Sequence, residues 1–248
     1  MNSFKTLLKN ELKLNFRNMN MVIFAIIIPV IVLIVLGFIY GSKPAAEGME
    51  YTFLEQSFGA LCTISICAGG LMGLPLVVSE YRERKILKRF RATPVSPTKL
   101  LAVEFTIYVL YSIASMLILF LAAVAFWKVR LYGNLLAFFG SWFLTLISTL
   151  SIGMMVGGIA KNTKTASMIA CILYFPMLIF SGATLPFEVM PGIMQKIVSV
   201  FPLTQGIQLM KATFLGLSVS SEVVTPILII CVITILCFGI SIRYFKWE

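Results

Sequence analysis

The sequence contains no histidine and no aspartate, and all ten of its acidic residues are glutamates. Zinc enzymes and membrane metalloproteases need imidazole and carboxylate ligands, so this composition argues against metal-dependent hydrolysis. The glutamates lie at the ends of the apolar runs or outside them, whereas ion-coupled transporters usually keep charged groups at the membrane midplane. We therefore predict neither a proton relay nor hydrolytic chemistry, and work on a solute would require energy from another subunit.

A nucleotide-binding motif is also missing, because G-x-x-x-x-G-K-[ST] occurs nowhere in the chain. The five cysteines all lie inside apolar runs, where clustered thiolates would be costly, so we interpret them as small buried apolar residues. We expect this chain to contribute no catalytic residue, no metal site and no bound cofactor. The cysteines are Cys62, Cys67, Cys171, Cys231 and Cys237.

What is abundant is apolar sequence: 59% of the 248 residues are hydrophobic and only 12% are charged. Soluble domains carry about 25% charged residues, and about 20 consecutive apolar residues span a bilayer as a helix. We predict one all-α, polytopic membrane domain over residues 1–248 with six transmembrane helices. The predicted spans are 21–40, 58–78, 105–127, 135–160, 166–180 and 223–242.

The basic residues predict the orientation of these spans. If the N-terminus is inside, the inner segments hold 15 of the 20 lysines and arginines. Cytoplasmic loops carry such an excess, so we expect both termini in the cytoplasm of a bacterial cell and the chain in its cytoplasmic membrane. The net charge of +10 thus reflects the topology of the chain in the membrane and does not indicate nucleic-acid binding. The inner segments are 1–20, 79–104, 161–165 and 243–248.

Before the first span, residues 1–20 have the pattern of an amphipathic helix. Lysine or arginine recurs every four residues, and apolar side chains occupy much of the other side. We predict an interfacial helix with its basic face toward lipid phosphates and its apolar face in the acyl boundary. A plain charged leader is the alternative. The basic residues are Lys5, Lys9, Lys13 and Arg17, and the apolar ones are Phe4, Leu7, Leu8, Leu12 and Leu14.

Residues 80–93, after the second span, are expected to form a short cytoplasmic helix. The stretch has no glycine or proline until Pro94, which disfavours helical geometry at Thr93. Ile86, Leu87 and Phe90 would form a small apolar face that anchors in a groove of a cytoplasmic partner, with the charges setting the register. The alternative is that these charges only fix topology and contact lipid.

The stretch ERKILKRFRATPVS, residues 83–96, resembles the coupling helix of type-2 ABC exporter permeases. Lys85-Ile86 stand where Gly-Thr is usual, and Lys88 stands where glutamate is usual. The matching residues are Leu87, Ala92, Thr93, Pro94, Val95 and Ser96. The resemblance implies contact with an ATPase subunit through Glu83, Arg84, Leu87, Lys88, Phe90, Arg91, Thr93 and Pro94.

Residues 180–211 resemble the outer re-entrant segment of the same family. Its prolines break the chain into short pieces, and irregular backbone at membrane depth must be shielded by protein. Gln205 replaces the usual tyrosine of the motif, and Lys211 stands at an arginine position. An interfacial loop with a surface helix is the alternative. The resemblance implies an outer gate formed by Gly182, Pro186, Glu188, Pro191 and Pro202.

Together the two matches imply a permease of the G-subfamily-like, type V exporter fold. Such a permease pairs with a second copy or a paralogue, and two separate ATPase subunits bind ATP and Mg²⁺. A non-transporting immunity or scaffold subunit is an alternative function, and a polytopic membrane enzyme is another. In the exporter reading, the second and fifth spans line the solute path with Thr63, Ser65, Leu71, Met72, Tyr174, Met177 and Leu178.

That lining is apolar with few hydroxyls, and methionine and aromatic surfaces adapt to varied hydrophobic ligands. We therefore expect export of a drug, antibiotic, peptide or lipid-linked molecule, unless these residues only contact lipid or pack internally. Three Gly-x3-Gly pairs predict close helix packing, and three prolines within or near spans predict helix kinks, with packing alone as the alternative. The pairs begin at Gly37, Gly69 and Gly153, and the prolines are Pro29, Pro75 and Pro176.

Overall fold

A computed structural model describes residues 2–17, 19–41, 43–45, 48–91, 96–183, 187, 190–217 and 224–245. Six helices among these residues are long and apolar enough to cross a membrane, which confirms the all-α, six-span prediction. In chain order the helices are α1 Asn2–Arg17, α2 Ile23–Tyr40, α3 Phe53–Glu83, α4 Ile86–Arg91, α5 Pro97–Trp127, α6 Leu135–Ile159, α7 Thr163–Phe180, α8 Gly192–Val198, α9 Pro202–Leu215 and α10 Val224–Tyr244.

The second and third spanning helices extend beyond the predicted apolar cores, because helical backbone continues through polar residues. Helix α3 begins at a capping box, in which the Thr52 hydroxyl accepts from the Glu55 amide and the Glu55 carboxylate accepts from the Thr52 amide. Helix α5 begins at Pro97, whose fixed φ suits a first helical position. Glu104, expected at a span end, therefore lies inside α5 and is fully buried.

The expected single helix over 80–93 is wrong in its boundaries. Residues 80–83 are the last turn of α3, and the chain then turns through Arg84 and Lys85 before α4 begins. Lys85 has a φ of 56°, in the left-handed region that ends a right-handed helix. This is the position at which the resembled family usually has glycine, the residue that adopts positive φ without strain.

Helix α3 lies at the centre of the bundle, and most of its side chains between Leu54 and Val78 are buried. Helix α6 packs directly on it: a β-carbon at Gly153 would overlap the carbonyl oxygen of Gly70. One at Gly157 would meet the Val78 β-carbon at 2.8 Å. The predicted close packing is thus confirmed for this pair of glycines, and it occurs within one chain.

Two of the spanning helices contain a π-helical turn ahead of a proline. These turns cover Ile23–Ile27 before Pro29 and Ala68–Gly73 before Pro75. A proline lacks the amide hydrogen of the α-helical pattern and crowds the preceding turn, and a wider turn accommodates both effects. A kink of the helix axis at these two prolines stays a prediction.

Contacts between helix ends define two ends of the bundle. At the basic end, which carries α1 and α4, the end of α3 contacts both Glu11 and Thr163. At the opposite end, the Trp127 indole donates to the Gly37 carbonyl (3.0 Å) and the Arg130 amide donates to Glu55 (2.8 Å). Helix α9 belongs to this opposite end, because the amides of residues 132 and 133 donate to the Phe214 carbonyl. Helix α8 is joined to α9 by the Gln205 side chain, which donates to the Ser199 carbonyl directly after α8.

Helix α1 differs from its prediction in what covers its apolar face. Phe4, Leu7, Leu8 and Leu12 pack against α5 around Val103, rather than leaving the whole face for the acyl boundary. Leu14 is the exposed exception among the predicted apolar residues. The reason is that α5 starts two turns earlier than its apolar run predicts, so it presents an apolar stripe at the level of α1.

Candidate coupling site and solute path

Helix α4 presents a buried side and a charged side. Leu87 is fully buried, and Ile86 and Phe90 are half-buried against the core of the same chain. Lys88 and Arg89 are exposed. Within this chain these three side chains attach α4 to the bundle, and the anchoring of Phe90 and its neighbours in a partner stays a prediction.

The last turn of α3 contacts the loop between α6 and α7 through two adjacent side chains. The buried guanidinium of Arg82 donates through Nη1 to the Gly158 carbonyl in the last turn of α6 (2.8 Å). Glu83 Oε2 accepts from the backbone amide of Thr163 (2.9 Å) and from its hydroxyl (2.5 Å). A cation thus lies at a helix C-terminus and an anion at a helix N-terminus, as the helix dipoles favour.

The preceding residue, Tyr81, connects two further helices. Its hydroxyl lies 2.8 Å from Glu104 Oε1 in α5 and 3.1 Å from Glu11 Oε2 in α1. A hydroxyl has one hydrogen, so it donates to one carboxylate at a time. Glu104 is fully buried, and its other oxygen has no hydrogen-bond partner among the described residues.

Residues 81–83, which we call the junction segment, therefore contact α1, α5, α6 and α7 within three consecutive positions. Successive helical side chains are about 100° apart, so three neighbours in sequence point in three directions. Because α4 follows after only two residues, a displacement of α4 is passed to this segment first. The geometry suits transmission of movement rather than covalent chemistry.

Of the sequence-predicted coupling residues, Glu83 and Leu87 contact their own chain, and Arg84 and Lys88 are exposed. Arg84 forms an ion pair with Glu80 at 2.8 Å, in which both side chains are exposed. Such a surface pair contributes little stability. Thr93, Pro94 and the side chain of Arg91 lie outside the described part of the chain.

The predicted solute-path residues belong to α3 and α7, two helices that contact each other. Met72, Tyr174 and Leu178 are half-buried. The other four are buried within the chain, so in this conformation they border no open surface, and their role in a path stays a prediction. These four are Thr63, Ser65, Leu71 and Met177.

At the opposite end, the predicted gate residues occupy turns and helix starts. Gly182, with a φ of 96°, forms the turn after α7, Pro191 precedes α8, and Pro202 begins α9 and is buried. Pro186 and Glu188 lie outside the described residues. A cavity of about 70 Å³ beside Gly182 is lined by polar and apolar groups that include Gln56, Ser57, Ser181, Phe187 and Gln208.

Sequence reasoning missed Glu11, Tyr81, Arg82, Glu104 and Thr163 as a connected set. Glu104 carried the clearest available signal, a glutamate on the border of an apolar run. Its partners were not visible, because Tyr81 is 23 positions from Glu104 and 70 from Glu11. Contacts at such separations depend on how the helices pack, which periodicity within one helix does not specify.

The chain is similar to known transport proteins. The family model described as ABC-2 type transporter matches residues 2–215. Over 203 residues the chain is 24% identical to the probable multidrug ABC transporter permease YbhS of Escherichia coli K12, covering 82% of this chain and 52% of that one. Over 150 residues it is 25% identical to the inner membrane transport permease YhhJ of the same strain, covering 60% and 40%. The chain thus matches about half the length of these relatives.

Proposed function

Because the chain belongs to the ABC-2 type transporter family, we propose that it is the membrane permease subunit of an ABC transporter driven by a separate ATPase subunit. The basic end of the bundle faces the cytoplasm, where the positive-inside rule places such charge. Two ATPase subunits contact α4 of two permease copies, or of this chain and a paralogue, and they bind the ATP and Mg²⁺ that the transport cycle consumes.

The observation that carries this proposal is the position of the junction segment directly before α4. Exposed Arg84, Lys88 and Arg89 supply a charged surface for a partner, and buried Leu87 attaches that surface to the bundle. The turn at Lys85 separates α4 from α3 by only two residues. Movement of the ATPase subunits would therefore displace the end of α3 together with the helices hydrogen-bonded to it.

The transported solute is a hydrophobic or amphiphilic molecule exported from the cell, such as a drug, an antibiotic, a peptide or a lipid-linked compound. The apolar character of the predicted path residues supports this class, because half-buried Met72 and Tyr174 offer adaptable apolar surface. One relative carries the words "multidrug ABC transporter permease" in its name. Movement of α7 away from α3 would open the buried part of the path.

The proposal is tested by co-expressing the chain with a cassette ATPase encoded beside it and purifying the membrane complex. We expect ATP hydrolysis in the eluate and ATP-dependent uptake of a lipophilic dye into inverted membrane vesicles. Arg89→Glu reverses one exposed charge on α4 and should weaken binding of the ATPase by about tenfold, since like charges meet across the contact.

The matched control is Lys196→Glu, the same reversal at an exposed lysine of α8 at the opposite end. This variant should leave ATPase binding unchanged. If the two reversals have equal effects on ATPase co-purification, α4 is not the contact surface. Dye uptake that continues without ATP or without the ATPase would contradict the transport mechanism as a whole.

A further inference from the structure

A crevice of about 530 Å³ opens between α5 and α10 at the basic end of the bundle. Its volume lies within the range of small-molecule sites, roughly 300–1,000 Å³. It is separate from the α3–α7 contact that holds the predicted solute path. Its described lining includes no carboxylate and is mainly apolar: Thr98, Leu101, Ala102, Phe105, Thr106, Met154, Phe238, Ser241, Ile242 and Phe245.

The two walls of the crevice are single helix faces. The α5 residues recur at 98, 101, 102 and 105, and the α10 residues begin at Phe238 with the same spacing. Positions separated by three, four and seven residues lie on one side of a helix, so the walls run parallel to the helix axes. The lining positions on α5 run from Thr98 to Thr106, which corresponds to about 12 Å along the helix axis.

Aromatic rings mark the two ends of the crevice. Toward the membrane centre, the rings of Phe105 and Phe238 have centroids 6.3 Å apart and connect α5 to α10. Toward the basic end, Phe245 packs on Gly158, where a β-carbon would meet its ring at 2.7 Å. The crevice is therefore a slot that reaches from the membrane surface into one leaflet.

Among the described residues, the rim of the slot carries one cation. Lys99 follows Thr98 on α5, lies on the same side of the helix as Thr106 and is exposed, whereas Arg243 on α10 lies about 150° around the helix from the lining residues. The Arg243 guanidinium lies over the ring of Tyr244, 5.9 Å from its centroid. Tyrosine and arginine at a helix end are typical of the level of lipid headgroups.

We propose that this crevice is a specific binding site for an anionic phospholipid of the inner leaflet. One acyl chain occupies the apolar slot, and the phosphate lies beside Lys99. The apolar walls explain why a hydrocarbon chain fits, and the cation explains why an anionic headgroup is preferred over a zwitterionic one. The site depends on the cytoplasmic orientation of the basic end and does not depend on which solute is exported.

The test uses the full chain in nanodiscs made of phosphatidylcholine with 20% phosphatidylglycerol, followed by native mass spectrometry of the lipids retained. We expect one phosphatidylglycerol per chain to be retained preferentially. Neutralising the rim charge with Lys99→Gln should weaken its retention by about fivefold, the effect of one charge near the surface. The control is Lys128→Gln at the opposite end, which should change nothing.

A second variant tests the slot itself. Ala102→Phe places a ring in the crevice from an exposed position, and Ala125→Phe adds the same ring to exposed α5 surface near its other end. Only the first should reduce phosphatidylglycerol retention, and both should insert and unfold normally. Equal retention of the two lipids, or retention unaffected by Ala102→Phe, would overturn the proposal. Displacement of the lipid by an exported dye would assign the slot to the solute and overturn it as well.

Discussion

The hydroxyl of Tyr81 provides the sharpest test of the junction segment. Tyr81→Phe removes one oxygen atom and leaves the ring in place, so Glu104 loses the donor at 2.8 Å from its Oε1. A buried polar group without its partner costs about 1–3 kcal/mol, and a chain of this size loses about 2–4 °C in Tm for each kcal/mol. We expect a Tm lower by about 5 °C, measured by tryptophan fluorescence in detergent.

The expected cause can be separated from general damage by a double-mutant cycle. Glu104→Leu alone leaves the Tyr81 hydroxyl without its closer acceptor, whereas the double variant with Tyr81→Phe replaces both partners by apolar groups. Replacing both partners of a buried hydrogen bond is often nearly neutral, so the double variant should be more stable than the sum of the single losses predicts. The measured coupling energy should be about 1 kcal/mol or more.

Tyr132→Phe is the matched control, because the Tyr132 hydroxyl donates to the Glu50 carbonyl at 3.3 Å in an exposed position at the opposite end. Its loss should change Tm by no more than about 1–2 °C, since surface substitutions are usually within about 0.5 kcal/mol. Equal losses for Tyr81→Phe and Tyr132→Phe, or additive losses in the double variant, would refute the reasoning that Glu104 depends on this hydroxyl.

Three further predictions follow from other contacts. Lys85→Gly should raise stability slightly or leave it unchanged, because a non-glycine residue in the left-handed region, here at a φ of 56°, costs about 1–2 kcal/mol. Lys85→Val should lower Tm. Glu83→Gln and Thr163→Val should each reduce solute-stimulated ATPase activity with little change in Tm, and the double variant should be no worse than either single one. Gly153→Ala should lower the free energy of unfolding by about 1–3 kcal/mol through overpacking. Gly140→Ala in the same helix is the control and should cause no such loss, because no atom lies within 4 Å of the new carbon. A similar Tm for the two glycine variants would contradict the close α3–α6 contact.

The number and type of the helices could be predicted because a membrane span needs only a sufficient run of apolar residues. The helix boundaries could not be predicted in this way. An apolar run stops at the first charged residues, whereas the backbone hydrogen bonds of a helix continue through them. Helix α5 shows the difference: its apolar run starts at residue 105, but the helix starts at Pro97, eight residues earlier. Those eight residues decide where α1 packs and place Glu104 in the interior.

For the coupling site, contact between the motif stretch and a partner stays a prediction, and the structure adds the contacts that Glu83 and Leu87 make within their own chain. A motif records which residue types recur, and Glu83 or Leu87 can recur because they hold the bundle together as well as because they touch a partner. The turn at Lys85 is a second example. The motif shows that lysine replaces the usual glycine, but only the φ of 56° shows that this position requires left-handed backbone, which glycine adopts without strain.

The junction segment also restricts how movement can pass through the bundle. Tyr81, Arg82 and Glu83 are adjacent in one helical turn, so their contacts to α1, α5, α6 and α7 shift together when that turn tilts. Loss of one contact should therefore reduce transmission only in part, because the others still move the bundle. Arg82→Pro would unwind this turn and so separate α4 from all four helices at once. We expect that variant to hydrolyse ATP without transporting the solute.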